Sequence, residues 1–446
     1  MKLSAIALDY DGTIALNGLM DARVREAICE IRSAGTLVIL ATGRRRDDLQ
    51  RIAGDLTCFD LVVGENGALL HFPASGQDAR LAHDPPRAFL DALTARGVQF
   101  FVGRTIVDAD ASNAPVILSV IRDLELQLSL IFNQDRVMVL PPTIGKSTGL
   151  RHALRTLRVS PHNALAIGNA ENDHDLLDAC EVGVAVAWGS QALCQVADEI
   201  LPGSDPSAVA PYLRSLVRHS WLSAAQMGGR HINLGRQADG EPLTLTHRGR
   251  TLLITGEPGS GKSWLAGLLG EQFILQGYSL CIVDSDGDYR ALETLPGVVV
   301  LDGEVHKPGA GALARALQHP ELSVIVDVSG LTQSGQAEYA EALLPWLADL
   351  RRQAGLPHRI LLDDAQRLLA GVTNTHLLAP ALGGYILVTE RAAALDDAFR
   401  GPGHTVVLIT DRRNKAEATL LAEDGRGNDS RRFTMLPRLT AHARIR

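Results

Sequence analysis

Lysine is scarce in this chain: of 43 basic residues only Lys2, Lys146, Lys262, Lys307 and Lys415 are lysines. The arginine excess reads as genomic nucleotide composition, so a lysine inside a motif raises a chemical question. Aromatic residues are also few, at 4%, which leaves aliphatic side chains to fill the cores. Cys29, Cys58, Cys180, Cys194 and Cys281 stand far apart and form no CxxC pair. Their spacing excludes a disulfide framework and a zinc site and points to a reduced cytoplasm. No stretch approaches the roughly 18 consecutive apolar residues of a membrane span. The start, MKLSAIALDYDGT, reaches an acid after a short apolar run, unlike a secretory leader. A net charge of −8 supplies no electrostatic footprint for constitutive nucleic-acid binding, although a local basic face can exist beneath that total.

The 446 residues, 46% hydrophobic and 21% charged, suit two or more globular units. Residues 1–220 alternate apolar strands with amphipathic helices, as in SAIAL, a helix with Val24, Ile28 and Ile31 on one face, and TLVILATG. PGSDPSAVAP and QMGGRH then punctuate the chain. Residues 221–446 carry a second alternation with six apolar runs: TLLITG, SLCIVDSD, SVIVDV, RILLDDA, YILVTE and TVVLIT. Both halves therefore predict α/β units with parallel sheets covered by helices. The arginine-rich tail after Arg426 is expected to be poorly ordered.

In AIALDYDGT, Asp9 and Asp11 follow a buried-looking strand and emerge at its carboxyl end, where open α/β sheets bind ligands. Two carboxylates so close suit a divalent cation and acid/base work. VILATGR places Thr42 at another strand end, where its hydroxyl and nearby N–H groups can hold a phosphate oxygen. Lys146 in PTIGKSTG and the acidic stretch LAIGNAENDHDLL follow.

Together DYDGT, ATGR, the lone lysine and GNAENDxxLL resemble the four motifs of the haloacid dehalogenase superfamily, in its Cof-type, phosphoglycolate-phosphatase-like branch. GENGALL is similar to that branch as well. The resemblance covers nearly half the chain. It implies a doubly wound, Rossmann-like domain with a small cap inserted at about 83–140. It further implies that Asp9 attacks phosphorus, Asp11 serves as acid and then base, and Thr42 and Lys146 neutralise the phosphoryl group. Magnesium would be held by Asp9, Asp11 through its carbonyl, and the acidic loop at Asn169 and Asp173. The family usually has an aspartate where this chain has Asn169, which leaves Asp173 as the acid of the loop and weakens magnesium binding.

In TLLITGEPGSGKSWLAGLL an apolar strand enters Gly256, Gly259 and Gly261, then Lys262 and Ser263, then a helix, which satisfies GxxxxGK[ST] in its required context. Glycines admit N–H groups to phosphate oxygens, Lys262 reaches the outer phosphates of ATP, and Ser263 meets magnesium. RILLDDAQRLL has the form of a Walker B element, with Asp363 on magnesium and Asp364 polarising an attacking water. Together with SLCIVDSDGDYRAL and YILVTERAAAL, this half resembles the HerA/FtsK-like branch of RecA-like P-loop ATPases. That resemblance implies oligomeric nucleic-acid motors whose neighbouring subunits supply an arginine, for which Arg351, Arg352, Arg391 and Arg412 are candidates. Trp188, Trp221, Trp264 and Trp346 stand alone and read as packing residues rather than base-stacking platforms.

Three functions follow. The first is a phosphatase, acting on a phosphorylated small molecule, fused to an ATPase. The second is a nucleic-acid motor or assembly ATPase with an accessory N-terminal module. The third is a kinase and phosphatase pair, against which Asp364 weighs.

Overall fold

In the computed structural model the described residues are 2–133, 135–218, 230–246, 250–302, 310–370, 372, 378, 382–395, 405–410, 416–421 and 430–440. Arg412, Trp221, Lys307, Lys415 and the expected junction at residue 220 lie outside them. Two compact units divide at Gly228 and Gly229.

The first unit is built on an eight-stranded sheet. Its order is Glu199–Leu201, Val182–Val186, Ala164–Gly168, Ala5–Asp9, Leu37–Ala41, Leu61–Gly64, Leu69–Phe72 and Gln77–Arg80. The first six strands are parallel and the last two antiparallel. Ala5–Asp9 is buried at every residue, the uninterrupted apolar pattern of a strand covered on both faces. Helix Ala22–Ser33 begins at Asp21, whose side chain accepts from the Arg23 N–H, and buries Val24, Ala27, Ile28 and Ile31 on one face.

Between Gln77–Arg80 and helix Lys146–Thr156 the chain forms a separate layer. Four antiparallel strands run in the order Ser129–Asn133, Arg136–Leu140, Val107–Asp110, Phe100–Val102. Helices Arg87–Ala95 and Ala114–Asp123 cover them, with Phe89, Leu93, Ile117, Val120, Val137 and Val139 in the core.

The second unit has an eleven-stranded sheet. Seven strands are parallel, in the order Thr405–Thr410, Thr251–Thr255, Tyr385–Thr389, Arg359–Leu362, Leu280–Asp284, Ser323–Asp327 and Val298–Asp302. All six apolar runs read from the sequence are among them. Pro242–Thr246, His231–Gln237, Arg431–Met435 and Glu417–Leu420 extend the sheet in antiparallel fashion from Thr405–Thr410.

The tail departs from expectation. Residues 431–435 form a strand, and Arg438 is fully buried with Glu271 of helix Lys262–Leu275. Glu271 accepts from Arg438 Nε at 2.9 Å, from the N–H groups of Leu439 and Thr440 at 2.8 and 3.0 Å, and from the Thr440 hydroxyl. An arginine entering a core must bring or find a carboxylate, and Glu271 fixes where the tail docks. Arg351 is likewise internal: it is 5% exposed, donates to the Gly383 carbonyl at 2.8 Å and lies over the Tyr385 ring. It is a packing residue, not an arginine offered to a neighbouring subunit. Arg352 pairs with Asp349 on its own helix, and Arg391 is exposed. Trp264 and Trp346 pack against the cores, as read.

Breaking a buried pair from one side leaves an uncompensated charge, so Glu271→Ala is expected to destabilise the second unit by about 3–5 kcal/mol in denaturant unfolding of the full chain. Burial raises the Glu271 pKa, but the hydrogen bonds from Thr440 and Arg438 outweigh it and hold the carboxyl below its usual value. The pair's contribution is therefore complete above the ordinary glutamate pKa and is lost as pH falls through the depressed one. Glu271→Gln should flatten that acid limb.

Candidate functional sites

Register brings the first site together. Asp9 pairs with Ala41 and Leu8 with Ile167, so Asp9, Thr42 and Asn169 emerge side by side from three adjacent strands. Lys146, the first residue of helix Lys146–Thr156, reaches in from above. Its Nζ lies 2.6 Å from Asp9 Oδ1 and 2.7 Å from Asp173 Oδ1. All three groups are buried, at 1%, 4% and 0% exposure for Lys146, Asp9 and Asp173. Burial alone would lower the Lys146 pKa, but the two carboxylates outweigh it and hold the ammonium charged. Burial and the adjacent Asp173 push Asp9 up to about 7 against the pull of Lys146.

The depth of Lys146 is set by backbone contact. Gly67, at φ +102°, lies so close to Gly145 that a Cβ there would fall 1.9 Å from the Gly145 carbonyl oxygen. A Cβ on Gly149 would fall 2.6 Å from Gly67 Cα.

The Thr13 hydroxyl lies 3.0 Å from Asp9 Oδ2 and 3.2 Å from Asn169 Oδ1, so oxygens from two strands converge on one point. Trp188 Nε1 donates to the Gly12 carbonyl at 2.7 Å and supports this turn. Asp11 is placed differently: Arg44 Nε and Nη2 each donate to one of its oxygens at 2.6 Å. Asp11 therefore faces the arginine of ATGR and not Lys146. The Thr42 hydroxyl accepts from the Arg44 N–H at 3.2 Å.

Both oxygens of Asp173 are engaged within the protein. Its Oδ1 meets Lys146, and its Oδ2 accepts from the N–H groups of Asn169 and Ala170 at 2.9 Å each. It anchors the loop on the lysine. Among the described residues no cluster of three or more His, Cys, Asp or Glu is arranged to hold a metal ion. The donors that fit magnesium are the Asp9 carboxylate and the Asn169 amide oxygen, an all-oxygen set suited to a hard cation but carrying one formal charge.

The role of Glu65 within GENGALL was not legible in the motif. Buried Glu65, at φ +50°, accepts from the N–H groups of Arg104 and Thr105 and from the Thr105 hydroxyl, all at 2.8 Å. It thereby ties the GENG turn to the inserted layer. Between the two layers lies a cavity of about 460 Å³, walled by Asp9, Asp11 and Asn172 below and by Phe101, Asp108 and Arg136 above.

The second site sits on strand Thr251–Thr255 and helix Lys262–Leu275. Gly259 and Gly261, at φ +75° and +98°, use the left-handed backbone that only glycine adopts freely. A Cβ on Gly256 would fall 2.5 Å from Thr410 Oγ1. Lys262 Nζ donates to the Glu257 carbonyl at 3.0 Å, folded back over its own loop, and Ser263 follows it in the first turn. Asp363 and Asp364 leave strand Arg359–Leu362, with one strand, Tyr385–Thr389, between it and Thr251–Thr255. The Tyr289 hydroxyl donates to Asp363 Oδ1 at 3.3 Å, and Ser285 Oγ donates to the Asp363 carbonyl at 2.7 Å. Burial, then Asp284 and the other surrounding aspartates, push the Asp363 pKa well up. Asp364 pairs with Arg367 at 2.9 Å.

Residues 6–105 and 118–213 match the haloacid dehalogenase-like hydrolase family, and residues 248–310 match the central domain of helicase HerA. The chain is 25% identical over 224 residues to a phosphoglycolate phosphatase of Archaeoglobus fulgidus, covering 48% of this chain and 97% of that protein. It is 24% identical over 236 residues to one of Methanosarcina acetivorans, covering 50% and 100%. A haloacid dehalogenase-like hydrolase structure from Bacteroides thetaiotaomicron covers 48% of this chain and 100% of its own, at 16% identity and a TM-score of 0.42.

With Lys146 removed, Asp9 and Asp173 would face each other without a cation. Lys146→Met should cost about 3–5 kcal/mol in denaturant unfolding, and adding Asp9→Asn should recover part of that loss, a coupling that a double-mutant cycle measures. Residues 6–105 and 118–213 are thus similar to the haloacid dehalogenase-like hydrolases, in a chain whose residues 248–310 are similar to the central domain of helicase HerA.

Proposed function

We propose that residues 3–228 hydrolyse phosphate monoesters through a phosphoryl-aspartate. The observation that carries this reading is Asp9, a buried carboxylate at a strand end, held by Lys146 and Thr13 at the floor of a cavity. An Asp9 oxygen forms the bond to phosphorus as the ester oxygen leaves with a proton from Asp11. Asp11 then takes a proton from the water that cleaves the acyl phosphate, releasing inorganic phosphate. Arg44 occupies both Asp11 oxygens, so one of those bonds must be exchanged before each proton transfer. Lys146 and Thr42 supply the positive charge and hydroxyl that offset charge on the transferring group. Magnesium bound by Asp9, Asn169 and the Asp11 carbonyl would add electrostatic stabilisation. The names of the phosphoglycolate phosphatases make phosphoglycolate the first ester to assay.

In the same proposal residues 229–446 bind and hydrolyse ATP. Gly256, Gly259, Gly261 and Lys262 cradle the phosphates, Ser263 and Asp363 would hold magnesium, and Asp364 orients water. The RecA-like arrangement is supported by the strand lying between the P-loop strand and the one bearing Asp363. The HerA match favours a second reading, a nucleic-acid motor with an accessory first unit. That reading requires DNA to stimulate ATP turnover and the chain to elute as a ring-sized oligomer. A monomer indifferent to DNA would discard it.

Asp9→Asn should abolish phosphate release from a phosphomonoester and leave ATP hydrolysis intact, while Lys262→Ala does the reverse. Loss of both activities from either change would refute two independent sites. Chelation should stop phosphomonoester turnover. Asn169→Asp, by adding a carboxylate to the set, should lower the magnesium concentration for half-maximal rate by roughly tenfold.

A further inference from the structure

The cavity over Asp9 is walled by four arginines, Arg44, Arg45, Arg51 and Arg136. Three are neutralised within the protein. Arg44 is bound to Asp11 and Asp48, Arg51 to Asp48, and Arg136 to Asp108. Among the described residues Arg45 alone of the four meets no carboxylate. Its guanidinium instead lies 4.8 Å from the centroid of Phe101, an aromatic residue of the inserted layer that is 55% exposed. Stacking on a ring orients a guanidinium while leaving its N–H groups available, and a planar donor fork matches a carboxylate or phosphate. Arg45 is half-buried, so its charge is less screened than at the surface.

A second feature of the same cavity points to a ligand. Asn172 is 8% exposed, and its Oδ1 meets no hydrogen-bond donor among the described residues. Its other amide atom makes only a long contact, 3.4 Å, to Asn66. A buried acceptor without a donor costs stability unless a ligand brings one. The cavity that holds Asp9 therefore also offers a guanidinium with no direct ion pair, only the more distant charge of Asp48, and an acceptor without a donor. The space of about 460 Å³ is several times that of a bare phosphate group.

We propose that Arg45, stacked on Phe101, is the specificity-determining residue that binds a second anionic group of the substrate, and that the substrate is a hydroxyl-bearing phosphate monoester with that anion at its far end. This rests on the reading of Asp9 as the phosphoryl acceptor. The cavity thus divides the work: its floor takes the phosphate that reacts, and Arg45 of the core, stacked on Phe101 of the inserted layer, takes the charge that does not.

Three matched probes test this: 3-phosphoglycerate, glycerol 3-phosphate and glycerol 1,3-bisphosphate share a three-carbon skeleton and differ in the far group. The full-length protein should show a higher kcat/KM for a doubly anionic probe than for glycerol 3-phosphate, by roughly tenfold to a hundredfold for one charge-assisted contact. The preferred probe tells a carboxylate from a phosphate. Arg45→Gln should collapse that ratio to near one, Arg45→Lys should retain part of it, and Phe101→Leu should lower it. No preference in the unmodified protein, or a preference that survives Arg45→Gln, overturns the proposal. Calorimetric titration with the same probes separates it from the reading it rests on. Binding of 3-phosphoglycerate or the bisphosphate that depends on Arg45, without turnover of any probe, keeps the anion site and removes the phosphatase. Neither binding nor turnover removes both.

Discussion

The first unit depends on a lysine ammonium buried between two carboxylates. Lys146, Asp9 and Asp173 are withdrawn from water together, and each removes the cost of burying the others. Such a triad is a poor source of stability compared with apolar packing, and its value lies in position. With both carboxyls ionised the triad carries one excess negative charge, and the Thr13 hydroxyl links a carboxylate oxygen of Asp9 to the Asn169 amide oxygen. Asp173 holds that loop through two backbone N–H groups, so the cation that neutralises the nucleophile also sets the loop beside it. Charge, loop geometry and strand register are therefore one constraint expressed in three places.

The second unit handles its polar burden differently. Its glycine loop uses left-handed backbone and close contact with Thr410, while Asp284 caps the turn after its strand by accepting from the N–H groups of Gly287, Asp288 and Tyr289. Tyr289 then carries a hydroxyl from that turn to Asp363. The strand ends are thus coupled through one buried phenol. The tail closes the unit by placing Arg438 against Glu271 of helix Lys262–Leu275, away from the first turn that carries Lys262 and Ser263.

Much of this could be read before any coordinates were known. Apart from Lys146, which opens a helix, each motif is a strand followed by a short turn, and the uninterrupted apolar runs identify parallel strands whose carboxyl ends meet. Where roles depend on distant approach, the linear chain was silent. Glu65 and Phe101 matter because an inserted layer comes down on the core. Arg45 is distinguished from Arg44 and Arg51 by its stacking on Phe101 and by having no carboxylate within ion-pair distance among the described residues. The antiparallel extension was missed because Glu417–Leu420 is four residues long and His231–Gln237 is interrupted by polar residues. The tail was misjudged because its arginine content suggests solvation until Glu271 is placed beside it. The partners of Asp173 were not legible either, because composition counts acids without showing which hydrogen bonds they make.

The contact of Gly67 with Gly145 and Gly149 has a consequence for how this protein diverges. Main chain resting on main chain is a rigid stop: no rotamer can yield there, so any inserted methyl group would displace the lysine from the nucleophile. The upper wall of the cavity has no such stop and consists of side chains on strand edges and turns. Evolutionary drift that preserves the Lys146–Asp9 contact is accordingly channelled upward, where the cavity can change shape without disturbing its floor.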